Sequence, residues 1–212
     1  MIEIHQLPLG MTMTNAYLVG DLETKKAVVI DPGFEGEKIL KKAEQLDWVI
    51  EAIWLTHAHF DHIGAVGAVA AGLTPPPDVA MHPDDLWLWE VQGGAPLFGV
   101  SGIDSGPKPN ILLEDGKLLH LGSTEFNVLS APGHTPGHVM FYCKEAGVLF
   151  CGDVIFQSSI GRTDLPRGSY SELLQSIRDK VMTLPDETRL LAGHGPETTV
   201  GRERVYNPFV NM

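Results

Sequence analysis

The sequence predicts an α/β protein, and two observations carry that expectation. Apolar, β-branched segments of strand length alternate with segments whose apolar residues recur every three to four positions. Histidines and aspartates gather beside glycines where several apolar segments end, which is where sites of α/β sheets form. Composition agrees: 43% hydrophobic and 20% charged residues suit a soluble globular chain.

The elements follow in order. "IEIHQL", "NAYLVG" and "KAVVID" read as a β-meander. "EGEKILKKAEQLD" sets Ile39, Leu40, Ala43 and Leu46 on one helical face. "EAIWLT" reads as a buried strand running straight into a histidine cluster. "HIGAVGAVAAG" reads as one helix stopped by Gly72. "DVAM" is a short strand, and "PDDLWLWEV" a helix with Pro83 in its first turn. Residues 92–110, rich in Gly, Pro and Ser, read as a long surface loop of the functional or mobile kind. Strands follow at "KLLHL", "TEFNVLSA", "HVMFYC" and "GVLFCG". "GSYSELLQSIRDKVMTL" is a helix with a capping box at Ser169 and Glu172, burying Leu173, Leu174, Ile177 and Val181. "TRLLAG" is the last strand and "ETTVGRERVY" the last helix.

The 212 residues suit a single domain, 1–212. A net charge of −12 argues against nucleic acid or an anionic membrane as partner, while leaving a small anionic substrate open. Cys143 and Cys151 are too few for a disulfide scaffold and read as reduced thiols of a cytoplasmic protein. The start "MIEIHQLPLG" lacks the pattern of a secretory signal. The run "IGAVGAVAAGL" falls far short of the ~20 residues a membrane helix needs.

The chemistry begins at "WLTHAHFDHIGAV". His57 and His59, two apart on an extended segment, point the same way and can share one metal. Asp61 and His62, at the turn into the next helix, can face a second ion. Imidazole and carboxylate suit zinc, iron or manganese. "VLSAPGHTPGH" adds His134 and His138, "GVLFCGD" adds Asp153, and "RLLAGHG" adds His194, each after an apolar strand.

T-H-x-H-x-D-H, then G-H-T-P-G-H, G-D and G-H resemble the motifs of the metallo-β-lactamase fold superfamily, and most closely its glyoxalase II-type hydrolases. The likeness runs from "TNAYLV" and "VVIDPG" to "GRERVYNPF". It implies an αβ/βα sandwich of two mixed sheets flanked by helices, with the site at one edge between them. It also implies a ligand set: His57, His59 and His134 on one metal, Asp61, His62 and His194 on the other, and Asp153 bridging. Two divalent ions are expected, zinc first, with iron or manganese compatible.

The resemblance places His138 and Asp31 behind the ligands as supports, and Asp61 as a residue that orients the nucleophile. Arg162, in "SSIGRTDLPRG", is the candidate to hold a substrate carboxylate by two hydrogen bonds. His5, His82 and His120 read as surface or structural histidines. Phe98 and the Met11–Met13 segment are candidates to line the groove, although such residues are more often core or loop packing, and Cys151 reads as a buried strand thiol.

The expected activity is hydrolysis of S-D-lactoylglutathione or a related small acyl thioester, by a monomer or small homo-oligomer. The chain stops soon after "NPFVNM", without the extra C-terminal helical region typical of glyoxalase II, so another thiol carrier fits as well. Two rivals stand beside this reading. "GRTD" also resembles mononuclear iron persulfide dioxygenases of the same superfamily, against which the second ligand set weighs. A metal-stabilised binding module without turnover is the other. Lactone and phosphodiester hydrolysis also occur on this fold.

Overall fold

The computed structural model describes residues 1–210. Its first sheet has six strands in sequence order: β1 (Ile2–Leu9), β2 (Thr14–Asp21), β3 (Lys26–Ile30), β4 (Val49–Trp54), β5 (Asp78–Met81) and β6 (Ile111–Leu112). The expected meander is there: β1, β2 and β3 pair antiparallel, and β4 to β6 continue in parallel. The second sheet contains β7 (Leu118–Leu121), β8 (Thr124–Ser130), β9 (Val139–Cys143), β10 (Val148–Gly152), β13 (Arg189–Ala192) and β14 (Thr198–Thr199). Its order is β14-β13-β10-β9-β8-β7, with β10 and β13 parallel and the other pairs antiparallel. A small hairpin, β11 (Ile155–Phe156) and β12 (Ser159–Ile160), follows β10.

Strand alternation sorts the side chains into layers. On β2 and β3, Tyr17, Val19, Val28 and Ile30 face the space between the sheets, while Leu18 and Val29 face outward. On β10, Val148 and Phe150 face inward while Leu149 and Cys151 face outward. Trp54 meets Phe126 edge-on at 5.0 Å, and Tyr17 meets Phe150 at 5.3 Å, so aromatic contacts bridge the two sheets.

Helices cover each outer face. α1 (Gly36–Gln45), α2 (Phe60–Ile63), α3 (Val66–Ala71) and α4 (Leu86–Glu90) lie on the first sheet, through Ile39, Ile63, Val66, Val69 and Leu88. α5 (Tyr170–Ser176), extended by a wider turn over Ile177–Val181, lies on the second through Leu173, Ile177 and Val181. The Ser169 hydroxyl accepts from the Glu172 N–H at its start, as the capping box predicts. α6 (Val200–Tyr206) ends the described elements. The architecture is the αβ/βα sandwich expected of the sequence.

Three local expectations need correction. The helix read over 62–72 is broken at Gly64–Ala65, because the Ala65 N–H leaves the helical pattern to bond the Pro32 carbonyl at 2.9 Å. Residues 92–110 are not all surface loop. Gln92–Phe98 forms tight turns in which Gly93, at φ 64°, packs so closely on the Phe60 backbone that a Cβ would collide with it. Thr198 and Thr199, read as helix, pair with β13 instead, and the Thr199 hydroxyl then caps α6. No helix of the described residues is long and apolar enough to cross a membrane.

Candidate metal centre

Strand ends of both sheets meet at one edge. β4 leads into His57, His59, Asp61 and His62, and the loop from β8 to β9 carries His134. β10 leads into Asp153, and β13 into His194. The edge is stitched across the sheets: the Asn15 N–H donates to the Gly193 carbonyl at 2.7 Å, and its side-chain amide to the Ala192 carbonyl at 2.9 Å. At the end of β10, Gly152 adopts φ 47°, and a Cβ there would strike Thr56 and His138.

The side chains converge as two groups around Asp153. His57, His59 and His134 present ring nitrogens toward one another, with His134 Nε2 2.8 Å from His59 Nδ1 and 3.2 Å from His57 Nε2. Asp61, His62 and His194 form the second group, with His194 Nε2 3.3 Å from an Asp61 oxygen. Asp153 stands between them: Oδ1 is 3.4 Å from His62 Nε2, and Oδ2 is 3.5 Å from His194 Nε2 and 3.7 Å from His134 Nε2.

The far sides of three of the imidazoles, His57, His62 and His134, are anchored, which fixes their tautomers. His134 Nδ1–H donates to the Arg162 carbonyl at 2.7 Å. The Thr56 hydroxyl gives its proton to Asp31 at 2.6 Å, so it accepts from His57 Nδ1–H at 3.0 Å. Asp31 also accepts from the Thr56 N–H at 2.8 Å and from His62 Nδ1 at 2.9 Å. Asp31, His57 and His62 lie close enough to share an ion, but both Asp31 oxygens are already engaged, so Asp31 acts as an orienting group. His138 supports from behind: its ring stacks on His57 at 4.8 Å, and its Nε2 accepts the Asp153 N–H at 3.1 Å.

This donor set fits cations. With Nδ1–H committed on His57 and His134, their Nε2 lone pairs face each other at 3.2 Å, an arrangement that a positive ion relieves. His62 Nε2 and Asp153 Oδ1 are buried without a hydrogen-bond partner among the described residues. Electrostatics separate the two groups. Burial, then the neighbouring imidazoles, keep His57 well below the usual histidine range, and burial with His134 pushes His59 down to about 3. Burial also dominates in lowering His134. In the second group burial works to lower His62, but Asp153, Asp61 and Asp31 raise it well above its ordinary value. His194 rises too, as Asp61 and Asp153 overcome its burial. Burial opposes ionisation of Asp153, yet His62, His194 and His134 hold its carboxyl far below the usual range.

The cluster floors an open cavity of about 510 Å³, walled by Phe60, Phe98, Phe156, Ile160 and Leu165. Arg162 lines it, but its guanidinium is bound by Asp164 through two bonds of 2.8 Å. Phe98, one of the groove candidates, lines the cavity, and so does Thr12, between the exposed Met11 and Met13. Outside the cluster, His5 pairs with Glu3, His82 accepts from the Asp84 N–H, and His120 is exposed on β7. Cys151 is buried, its thiol donating to the Ile155 carbonyl at 3.4 Å.

Asp85 went unseen in the sequence. Fully buried, it accepts from the Ala58 N–H at 3.1 Å, the Thr135 hydroxyl at 2.7 Å and the Gly137 N–H at 2.7 Å. It ties the loop between His57 and His59 to the loop after His134. In "HPDD" nothing distinguishes it from a first-turn acid, so no local signal marks it.

The sequence profile of the Metallo-beta-lactamase superfamily matches residues 9–194. Hydroxyacylglutathione hydrolase GloC of Haemophilus influenzae is 38% identical over 210 residues, covering 99% of each chain. The crystal structure of BLEG-1 B3 metallo-beta-lactamase superposes with a TM-score of 0.90 at 41% identity, covering 100% of each chain. That of TTHA1623 in a di-iron-bound form gives 0.87 at 43% identity, covering 97% of this chain and 99% of the other. Fold, site geometry and sequence agree: the chain belongs to the metallo-β-lactamase superfamily.

Proposed function

We propose that this protein is a two-metal hydrolase of small acyl thioesters, of the glyoxalase II type, acting on S-D-lactoylglutathione or a related thioester. The observation that carries the reading is the convergence of two ligand groups on Asp153 at the floor of an open cavity. His57, His59 and His134 would hold one ion, Asp61, His62 and His194 the other, and Asp153 both. Two divalent ions bound there supply Lewis acidity, lowering the pKa of water to about 7 and polarising a carbonyl oxygen. Zinc, iron and manganese all suit His and carboxylate donors, and the di-iron form of TTHA1623 adds weight to iron.

The chain's own residues do the rest. Asp31 and Thr56 lock the imidazoles so that lone pairs face the centre. Asp61, held below the usual carboxylate range by His62 and His194 against its burial, stays ionised. Its Oδ2 accepts from the Thr14 hydroxyl at 3.1 Å, which leaves Oδ1 to orient a nucleophilic water. The aromatic walls limit bulk water. Water's oxygen joins the acyl carbon as a water proton is lost to solvent, the C–S bond breaks, and the sulfur leaves with the electron pair. A thiolate departs without a proton donor, and no additional acid is required of the cavity. GloC, matched over nearly its whole length, carries the name hydroxyacylglutathione hydrolase, which supports a glutathione thioester for a chain of this size.

The likeness to BLEG-1 favours β-lactam amide hydrolysis as a second reading. An amide nitrogen needs a proton to depart, and Asp61 and Asp153 are both held ionised. Metal-loaded protein assayed on S-D-lactoylglutathione and on a β-lactam separates the two. Thioester turnover far above β-lactam turnover is expected, and the reverse ranking overturns the thioesterase reading.

A further inference from the structure

A small alcove opens from the main cavity, and His59, Phe98 and Leu165 line both. One wall is Trp87, Leu88 and Val91 of the α4 segment with Leu97 of the turn that follows; Leu165 and Pro166 form the other. The Arg167 guanidinium lies 4.2 Å from the Trp87 ring centre and fastens the two walls together. Gly93 seats the turn against Phe60, so the α4 wall is fixed to the start of α2. Beyond His59, the lining offers no carboxylate, amide or hydroxyl side chain, and its one other polar side-chain group is the Trp87 indole N–H, buried without a hydrogen-bond partner among the described residues. Val91 and Leu97, 50% and 69% exposed, carry the apolar surface out to the mouth.

Resting on the thioesterase reading, we propose that this alcove is the acyl subsite and that it takes a short, unbranched, apolar acyl chain. Its place beside His59 sets the alcove next to the first ligand group, where an acyl carbon must lie for hydrolysis. Its volume of about 40 Å³ exceeds the ~10–15 Å³ one water needs, which leaves room for roughly two or three carbons. Apolar walls stabilise each methylene taken from water. The chain thereby favours propionyl and butyryl groups over acetyl.

The test is the kcat/KM series of acetyl, propionyl, butyryl and octanoyl thioesters of one neutral thiol, N-acetylcysteamine. The expected rise is about fourfold per methylene up to butyryl, the fold-change equivalent to ~0.8 kcal/mol, with a fall at octanoyl. Val91→Trp, which fills the alcove from a half-exposed wall position, should flatten the series by removing the gain per methylene. A flat wild-type series, or a slope that survives Val91→Trp, overturns the acyl subsite while the thioesterase reading stands. If no thioester is hydrolysed, that reading fails, and butyrate binding to zinc-loaded protein judges the alcove separately by methyl NMR. Shifts at Leu88 and Leu97 that Val91→Trp abolishes support an apolar subsite; no shift removes it.

Discussion

Arg162 Nε and Nη2 each donate to a different Asp164 oxygen at 2.8 Å, so the guanidinium of this cavity-lining residue already holds a carboxylate. A substrate carboxylate must displace Asp164 to gain that fork. Asp164→Asn should therefore lower KM severalfold for an anionic thioester and leave a neutral one unchanged. Arg162→Ala should raise KM for the anionic thioester by about tenfold, the size of a lost charged hydrogen bond. Steady-state kinetics on both substrates decide. A higher KM in Asp164→Asn would mean that Asp164 positions the arginine instead of competing for it.

Asp31 holds two imidazoles, His62 directly and His57 through Thr56. Asp31→Asn places an amide where donors converge. Metal affinity should fall by roughly 10–100-fold, the usual effect of losing an orienting partner. Metal titration with a chelator competitor reads this, and unchanged affinity would reduce Asp31 to a turn residue.

Asp85→Ala strands the Ala58 N–H, the Gly137 N–H and the Thr135 hydroxyl, each at about 1–3 kcal/mol if unsatisfied. Thermal denaturation should show several degrees lost. Because Ala58 lies between His57 and His59, the first metal should also bind more weakly. Stability lost with metal affinity intact would make Asp85 a fold residue alone.

Acid should empty the two groups in a definite order. His62 and His194 are raised, so the metal-free protein keeps protons there to higher pH than at the first group, and an ion must displace them. Affinity at that group then falls by about tenfold per displaced proton per pH unit as pH drops through the range below the raised values. His57, His59 and His134 are lowered, hold no proton there, and keep their ion to more acid conditions. Metal content measured after dialysis at stepped pH should pass through a one-ion plateau. Simultaneous loss of both ions contradicts the ordering.

Much of this was legible in the chain itself, for identifiable physical reasons. Strands β1–β3 announce themselves as short strand-length segments bounded by turn residues, Ser169 by its cap, and the ligand residues by crowding at strand ends beside glycines. What stayed hidden depends on long-range partners. The break at Gly64–Ala65 comes from a bond to Pro32, and the burial of Gln92–Phe98 comes from Phe60. The β11–β12 hairpin has two residues per strand, too few for a pattern. Asp85 acts on residues about 27 and 50 positions away, which no local window displays.

The most direct test is metal content measured with thioester hydrolysis, for the wild type and Asp153→Ala. Asp153 lies within 3.7 Å of His62, His134 and His194, so it is the residue both ions would share. The wild type should hold about two metal ions per chain, as a two-metal hydrolase does, and should cleave the thioester. Asp153→Ala should lose metal from both groups and nearly all activity, while His82→Ala retains both. A saturated wild type holding a single iron, inactive on thioesters and consuming oxygen with glutathione persulfide, would contradict the account.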